Sequence, residues 1–141
     1  MRELEQGARL VAQTVIEGVP DPMLSSNARP TWRQKARLVK ELRTATGWVA
    51  RQDRPAEPMT GPVRLDVTIC WPRWRKRHDQ TNLYVMLKPV VDGLTDAGWW
   101  ADDDQVTFGT VEQYTWAEWG RDAGDDGTRR NGCIELVAWA L

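Results

Sequence analysis

The residues best suited to chemistry lie between Lys76 and Val106, in the stretch KRHDQTNLYVMLKPVVDGLTDAGWWADDDQV. Aspartates stand at its two ends, at Asp79 and in the run 102–104, and Lys88 stands between them. Carboxylates that converge repel one another, and a hard divalent cation such as Mg²⁺ relieves that repulsion by binding their oxygens. Such a cation can activate water and stabilise charge on a phosphate oxygen, with a nearby lysine assisting. The pattern therefore predicts phosphodiester hydrolysis.

The same residues have a purely structural interpretation. Asp79 or Thr81 would serve as the N-cap of a helix, and the segment ADDDQ at 101–105 would serve as an ordinary polar turn. Spacing alone leaves both interpretations open.

A run of cations interleaved with indoles stands directly before Asp79. Arginine and lysine hold phosphates, and indole faces stack on unpaired bases. A solvated loop is the alternative, and for Trp71, at the end of a strand, we expect burial in the core. For His78, the single histidine, the interpretations are a general base, a phosphate contact or a plain loop residue. Four cations of this run, Arg73, Arg75, Lys76 and Arg77, are candidates for DNA contact, with weaker candidates at Arg29, Arg33, Lys35 and Arg37.

Composition fits one soluble domain spanning residues 1–141, with 41% apolar and 28% charged residues. The net charge of −1 argues against coating DNA by bulk charge alone. No apolar run is long enough to cross a bilayer and the start lacks a signal-peptide core, so a cytoplasmic location is expected. Cys70 and Cys133 are too few and too far apart for a disulfide framework or a zinc site, and we expect both to be buried.

Apolar periodicity predicts six elements in the order βαβαββ. This order favours an α+β fold in which two helices cover one face of a four-stranded mixed sheet. If the second and third strands lie side by side, Asp79 and Asp103 can converge. The predicted strands are Arg9–Glu17, Val63–Cys70, Val106–Trp116 and Ile134–Leu141, and the predicted helices are Thr31–Arg51 and a segment from Leu83 to about Asp96–Gly98.

Further expectations concern particular side chains of these elements. Pro89 predicts a kink or a late start in the second helix. Trp99 and Trp100 are expected to be buried, with a wedge against DNA as the alternative. We expect the first helix to bury one stripe, made of Trp32, Ala36, Val39, Leu42/Arg43 and Ala45, and we assign four tryptophans to the core or a subunit contact: Trp48, Trp116, Trp119 and Trp139.

The motif RKRHDQTN at 75–82, followed by Lys88, Asp92 and the segment DAGWWADDDQV, resembles the signature of the RusA-type Holliday junction endodeoxyribonucleases. The upstream segments VRLDVTICWP and LSSNARPTWRQKAR are similar to the strand and the N-terminal region of that family. The resemblance covers most of the chain from about Val19 onward.

The resemblance implies catalytic roles for Asp79, Lys88 and Asp103, a DNA contact at Asn82, and acidic positions of less defined role at Asp92 and Asp102. It implies Mg²⁺ as the cofactor, with Mn²⁺ as a substitute, held by Asp79, Asp103 and Asp102, and no organic cofactor. It also implies a homodimer that acts on branched DNA, namely a four-way junction or a fork. A four-way junction is nearly two-fold symmetric and needs paired cuts, which favours a C₂ dimer.

Thr81 departs from the family pattern, because the family has its second catalytic aspartate there. In one account Asp79 and Asp103 hold the metal, completed by Asp102, Asp104 or the Asn82 carbonyl oxygen. In the other, the chain is a weakened relative that binds branched DNA without cutting it. A third hypothesis is a structural protein whose charged runs are merely solvated.

Overall fold

The computed structural model describes residues 7–18, 31–72, 83–115, 118 and 132–141. Within these ranges the chain forms the predicted order βαβαββ. There are also two short 3₁₀ turns. Arg51–Asp53 directly follows the first helix, and Asp103–Gln105 directly precedes the third strand. The strands are β1 Arg9–Glu17, β2 Val63–Cys70, β3 Val106–Tyr114 and β4 Cys133–Ala140, and the helices are α1 Trp32–Ala50 and α2 Tyr84–Asp96.

The four strands form one mixed sheet in the order β1-β4-β2-β3. β4 pairs antiparallel with both β1 and β2, whereas β2 and β3 run parallel and are joined through α2. The α+β prediction of a four-stranded mixed sheet with two helices is therefore confirmed. β3 ends two residues earlier than predicted, and β4 begins and ends one residue earlier.

One face of the sheet carries the core. Val63, Leu65, Val67 and Ile69 alternate along β2 and are fully buried, as the period of a strand requires. They belong to the same apolar cluster as the buried residues of α1 and α2. The helices therefore cover this face of the sheet.

α1 and α2 approach each other closely at a glycine. A Cβ added to Gly93 of α2 would lie 2.7 Å from the carbonyl oxygen of Arg43 and 2.7 Å from Cβ of Thr46, both on α1. Small residues thus set the spacing of the helices, and the predicted stripe of α1 is wrong at its N-terminal end. Trp32 and Ala36 are exposed, and the buried residues of α1 are Leu42, Thr46, Gly47 and Ala50.

The opposite face of the sheet carries a polar cluster. The Asp66 carboxylate accepts hydrogen bonds from Arg64 at 3.1 Å and from the Trp139 indole at 2.9 Å. It also accepts from the backbone N–H of Thr110 at 2.9 Å, where β3 carries a bulge opposite Asp66. This carboxylate stabilises the irregular pairing of β2 with β3.

The predicted burial of aromatic and cysteine residues is largely confirmed. Trp71, Trp99, Trp100 and Trp139 are buried, as are Cys70 and Cys133, which face each other across β2 and β4. Trp48 does not belong to the core of this chain, because 69% of it is exposed. Trp116 and Trp119 lie outside the described residues.

Two expectations for α2 can also be compared with the structure. The helix begins at Tyr84, five residues before Pro89, so a late start caused by Pro89 is wrong. The helix ends at Asp96, in agreement with the predicted end at about Asp96–Gly98, and Gly98 has the positive φ, +85°, that is usual just beyond a helix C-terminus.

Candidate functional site

Lys88 on α2 lies between two carboxylates. Its ammonium donates to Oδ2 of Asp103 at 2.7 Å and to Oδ1 of Asp92 at 3.0 Å. Asp92 stands one helical turn after Lys88, and Asp103 opens the 3₁₀ turn before β3. The structure therefore brings together two of the three predicted catalytic residues, Lys88 and Asp103.

The ion pairs shift the protonation equilibria of these groups. The hydrogen bond to Asp103, followed by that to Asp92, raises the pKa of the Lys88 ammonium above its ordinary value. The hydrogen bond from Lys88 lowers the pKa of Asp103. Lys88 is therefore a fixed cation and Asp103 a fixed anion at neutral pH, although 64% of the lysine side chain is exposed.

Arg43 of α1 holds the far side of this cluster. Its guanidinium forms a two-pronged pair with Asp96, through Nε at 2.7 Å and Nη2 at 2.9 Å, and its Nη1 lies 4.0 Å from Asp92. The pair with Arg43 lowers the pKa of Asp96. The bidentate contact fixes α1 beside the turn of α2 that carries Asp92.

The acidic turn 102–104 is held by neutral groups as well as by its charges. Oδ1 of Asp102 accepts from the backbone N–H of Asp104, so Asp102 caps the 3₁₀ turn. The Gln105 side-chain oxygen accepts from the backbone N–H groups of Ala101 and Asp102, and its amide nitrogen donates to the carbonyl oxygens of Met59 and Gly61. Gln105 thus ties the turn to the loop before β2.

Three carboxylates of this turn could hold a cation. One oxygen from each of Asp102, Asp103 and Asp104 lies within 4.8 Å of the others. Oxygen donors at the surface, with room for water ligands, match the preference of Mg²⁺. The donor set therefore fits the divalent metal predicted from the sequence.

The sequence of this chain matches a known protein family. The family model described as Endodeoxyribonuclease RusA matches residues 18–121, which is most of the chain. This chain belongs to the RusA family. No curated protein matches it. The resemblance read from the motif at 75–82 is therefore confirmed, and Lys88, Asp92 and the acidic turn all lie within the matched range.

In this RusA-family chain, β2 and β3 run parallel, and this pairing affects whether Asp79 and Asp103 can converge. Cys70, at the end of β2, pairs with Tyr114, eight residues beyond Val106. The end of β2 and the acidic turn therefore lie roughly 25 Å apart along the sheet, so strand adjacency alone does not bring the two aspartates together.

α2, unlike the strands, brings the acidic turn close to the part of the sequence that follows Asp79. Lys88 lies five residues after Leu83, about 7.5 Å along the helix axis, so the acidic turn is near the first half of α2. Asp79 stands four residues before Leu83 in the sequence. Asp79 itself lies outside the described residues, and its approach to Asp103 stays a prediction.

Other predicted residues also lie outside the described part of the RusA-family chain. They are Arg29, Arg73, Arg75, Lys76, Arg77, His78, Thr81 and Asn82. Their assignment to DNA contact, or in the case of Thr81 to a lost metal ligand, stays a prediction.

In the described ranges, neither helix has the length and apolarity needed to cross a membrane.

Sequence reasoning missed Arg43 and Gln105. Arg43 was placed on a buried stripe, yet its side chain is half exposed and pairs with carboxylates of α2. Gln105 is neutral and carries no signature of catalysis. A weak signal for Gln105 existed, because it stands three residues after Asp102, the spacing of a capping box.

Proposed function

We propose that this chain is a Mg²⁺-dependent endodeoxyribonuclease that cuts branched DNA by hydrolysis of phosphodiester bonds. The observation that carries the proposal is the 2.7 Å hydrogen bond between Lys88 and Asp103. It joins two residues 15 positions apart that both lie in the range matched by the RusA family, and the motif resemblance implies a catalytic role for each. A cation and a carboxylate at one exposed edge can serve a phosphate and the water that attacks it.

Lys88 stabilises the charge that develops on the phosphate oxygens. An ammonium has three N–H donors, and the described carboxylates of Asp92 and Asp103 accept two hydrogen bonds from it. A third donor then serves a phosphate oxygen. Asp92 holds the ammonium in place, since it is itself anchored to α2 one turn away.

Asp79 and Asp103 orient the attacking water, and both hold the metal together with Asp102. Asp104 or the carbonyl oxygen of Asn82 completes the set. The bound Mg²⁺ supplies a positive charge that activates water and stabilises the phosphate. Mn²⁺ substitutes for it, because oxygen ligands also suit Mn²⁺.

The run Arg73, Arg75, Lys76 and Arg77 grips phosphates beside the cutting site, and Asn82 contacts the same DNA. Two copies of the chain act on one four-way junction, since paired cuts on a nearly two-fold substrate call for a C₂ dimer.

The proposal is tested with a labelled four-way junction and a linear duplex of the same sequence, each with and without Mg²⁺ or Mn²⁺. The wild-type chain is expected to cut the junction only when the metal is present. Asp79→Asn and Asp103→Asn keep the side-chain shape but lose the charge, and are expected to bind the junction without cutting it.

Other outcomes assign the chain to a different class. Junction binding by the wild type with no metal-dependent cutting would identify a binding module that has lost catalysis. Neither binding nor cutting would identify a structural protein.

Thr81 offers a separate test of the metal site. Thr81→Asp restores the carboxylate that the family has at this position, and should raise the cleavage rate if that ligand limits activity. An unchanged rate would mean that another oxygen already fills the place. Thr81→Ser, which adds no charge, is the matched control.

A further inference from the structure

A stripe of cations and one indole runs along the outward side of α1. Its residues recur every three or four positions, so they lie on one line of the helix surface. They are Arg37, Lys40, Thr44 and Trp48 of α1, and Arg51, which directly follows the helix. The buried residues of α1 occupy the other side. We call this line the α1 stripe.

The indole in the α1 stripe has no role in the core. Trp48 is 69% exposed, and it lines an open groove together with Arg37, Lys40, Glu41, Thr44 and Ala45. The guanidinium of Arg51 lies over the indole, 5.9 Å from its ring centroid. An exposed indole beside cations presents a flat apolar face next to positive charge.

The charge of α1 fits a polyanion. The range 32–51, counted with its end residues, holds six cations and one carboxylate, whereas the whole chain has a net charge of −1. Arg43 is paired with carboxylates of α2, and Arg37 lies 3.8 Å from Glu41. The local excess of positive charge therefore remains on the exposed side.

The indole selects among polyanions. In a duplex the faces of the bases are stacked on one another, so an exposed indole on a helix meets them only where the strand is unpaired. Sites that bind single-stranded DNA usually combine cations, which contact the phosphate backbone, with aromatic side chains, on which the bases stack.

We propose that the α1 stripe binds an unpaired DNA strand, with Trp48 stacked on a base and Lys40, Arg37 and Arg51 on phosphates. The proposal rests on the proposed function in that the strand is an unpaired arm of a branched substrate such as a fork. Arg43 joins α1 to the cluster of Asp92 and Lys88. The helix that carries the stripe is therefore joined directly to the helix that carries Lys88.

The test uses the full chain, a fluorescently labelled oligothymidine and EDTA, so that binding is measured by anisotropy without cleavage. Trp48→Ala should weaken binding by about tenfold, the loss expected when one base is unstacked. Trp48→Phe should retain most of the affinity. Lys40→Ala should reduce the slope of log affinity against log salt by about 0.7, the value for one phosphate contact. Glu41→Gln should tighten binding.

Trp32→Ala is the matched control. Trp32 is on the same helix, is 75% exposed and has Arg33 5.4 Å from its ring centroid, but it lies well off the α1 stripe. Its affinity for oligothymidine should equal that of the wild type. An equal loss in Trp32→Ala and Trp48→Ala, or no loss in Trp48→Ala, would overturn the proposal.

Two further measurements separate the proposal from its alternatives. The sedimentation coefficient of Trp48→Ala should equal that of the wild type. If the variant instead loses a dimer and keeps its affinity for oligothymidine, the α1 stripe is a subunit contact and the proposal is overturned. Cleavage of a fully paired junction by Trp48→Ala should persist. If the wild type cuts no junction but its oligothymidine binding depends on Trp48, the nuclease proposal fails and this one stands.

Discussion

Asp66 and Asp103 each accept a hydrogen bond from a cationic side chain, and they differ in what else they hold. Asp66 also receives the Trp139 indole and the backbone N–H of Thr110, and only 20% of its side chain is exposed. Asp103 is 37% exposed, and its described cationic partner, Lys88, is 64% exposed. The first carboxylate holds two strands together. The second contributes little to the sheet and faces solvent.

The comparison shows how to separate a structural ion pair from a functional one. A carboxylate that satisfies buried donors is costly to remove, because those donors lose their partner. An exposed pair adds little to the free energy of unfolding. A cluster of exposed charges that adds little stability, such as that of Lys88, is the better candidate for chemistry.

The largest expected effect is on catalysis. Lys88→Ala should lower the rate of junction cleavage by about 100- to 1,000-fold, since it removes a donor that stabilises transition-state charge. Its urea midpoint should stay close to that of the wild type, because both of its ion pairs are exposed. A parallel loss of stability would place Lys88 with Asp66 as a structural residue.

Asp66→Ala should have the opposite profile. The indole of Trp139 and the N–H of Thr110 would lose their acceptor, and the free energy of unfolding should fall by about 2–3 kcal/mol. Urea denaturation followed by tryptophan fluorescence measures this. Cleavage per folded molecule should be unchanged, and a specific loss of cleavage would contradict the division between the two clusters.

A smaller effect distinguishes two aspartates one turn apart on α2. Asp92→Asn weakens the hold on Lys88 and should lower the cleavage rate by about tenfold. Asp96→Asn is the matched control, since Asp96 pairs with Arg43, and its rate should equal that of the wild type. Equal rates for both variants would remove Asp92 from the site.

The smallest effect is on the pH dependence of stability. The pair with Arg43 lowers the pKa of Asp96 in the folded chain, so the folded state binds fewer protons than the unfolded state. The stabilisation is therefore present above the unfolded pKa of about 4, and it is lost as the pH falls through the lower folded pKa. The difference in urea midpoint between wild type and Asp96→Asn should be seen at neutral pH and disappear in acid.

The sequence predicted the sheet well because its strands carry a strict alternation. Val63, Leu65, Val67 and Ile69 stand in a period that only a half-covered strand explains, and β1 and β2 were predicted with their observed bounds. The buried stripe of α1 was predicted poorly. Apolar periodicity favours large residues such as Trp32, whereas the contact with α2 is made around Thr46 and Gly47, whose small size permits close approach.

The candidate site was predictable where a local motif contains it. Lys88, Asp92 and Asp103 stand in one continuous stretch, and the family pattern indicated them before any geometry was known. Arg43 meets Asp96 from 53 positions away, and Gln105 meets Met59 from 46 positions away. Such contacts depend on how α1 and the loop before β2 pack, which periodicity does not encode.

The amide of Gln105 has a consequence for how this surface can change over time. Its four hydrogen bonds fix the path of the turn through peptide groups, so the shape of the turn depends on backbone contacts more than on the charges it displays. Substitution of Asp103 or Asp104 can therefore change the charge on this rim while leaving the path of the turn intact. Such a change of charge should cost little in folding, because the side chains of the rim are at least partly exposed.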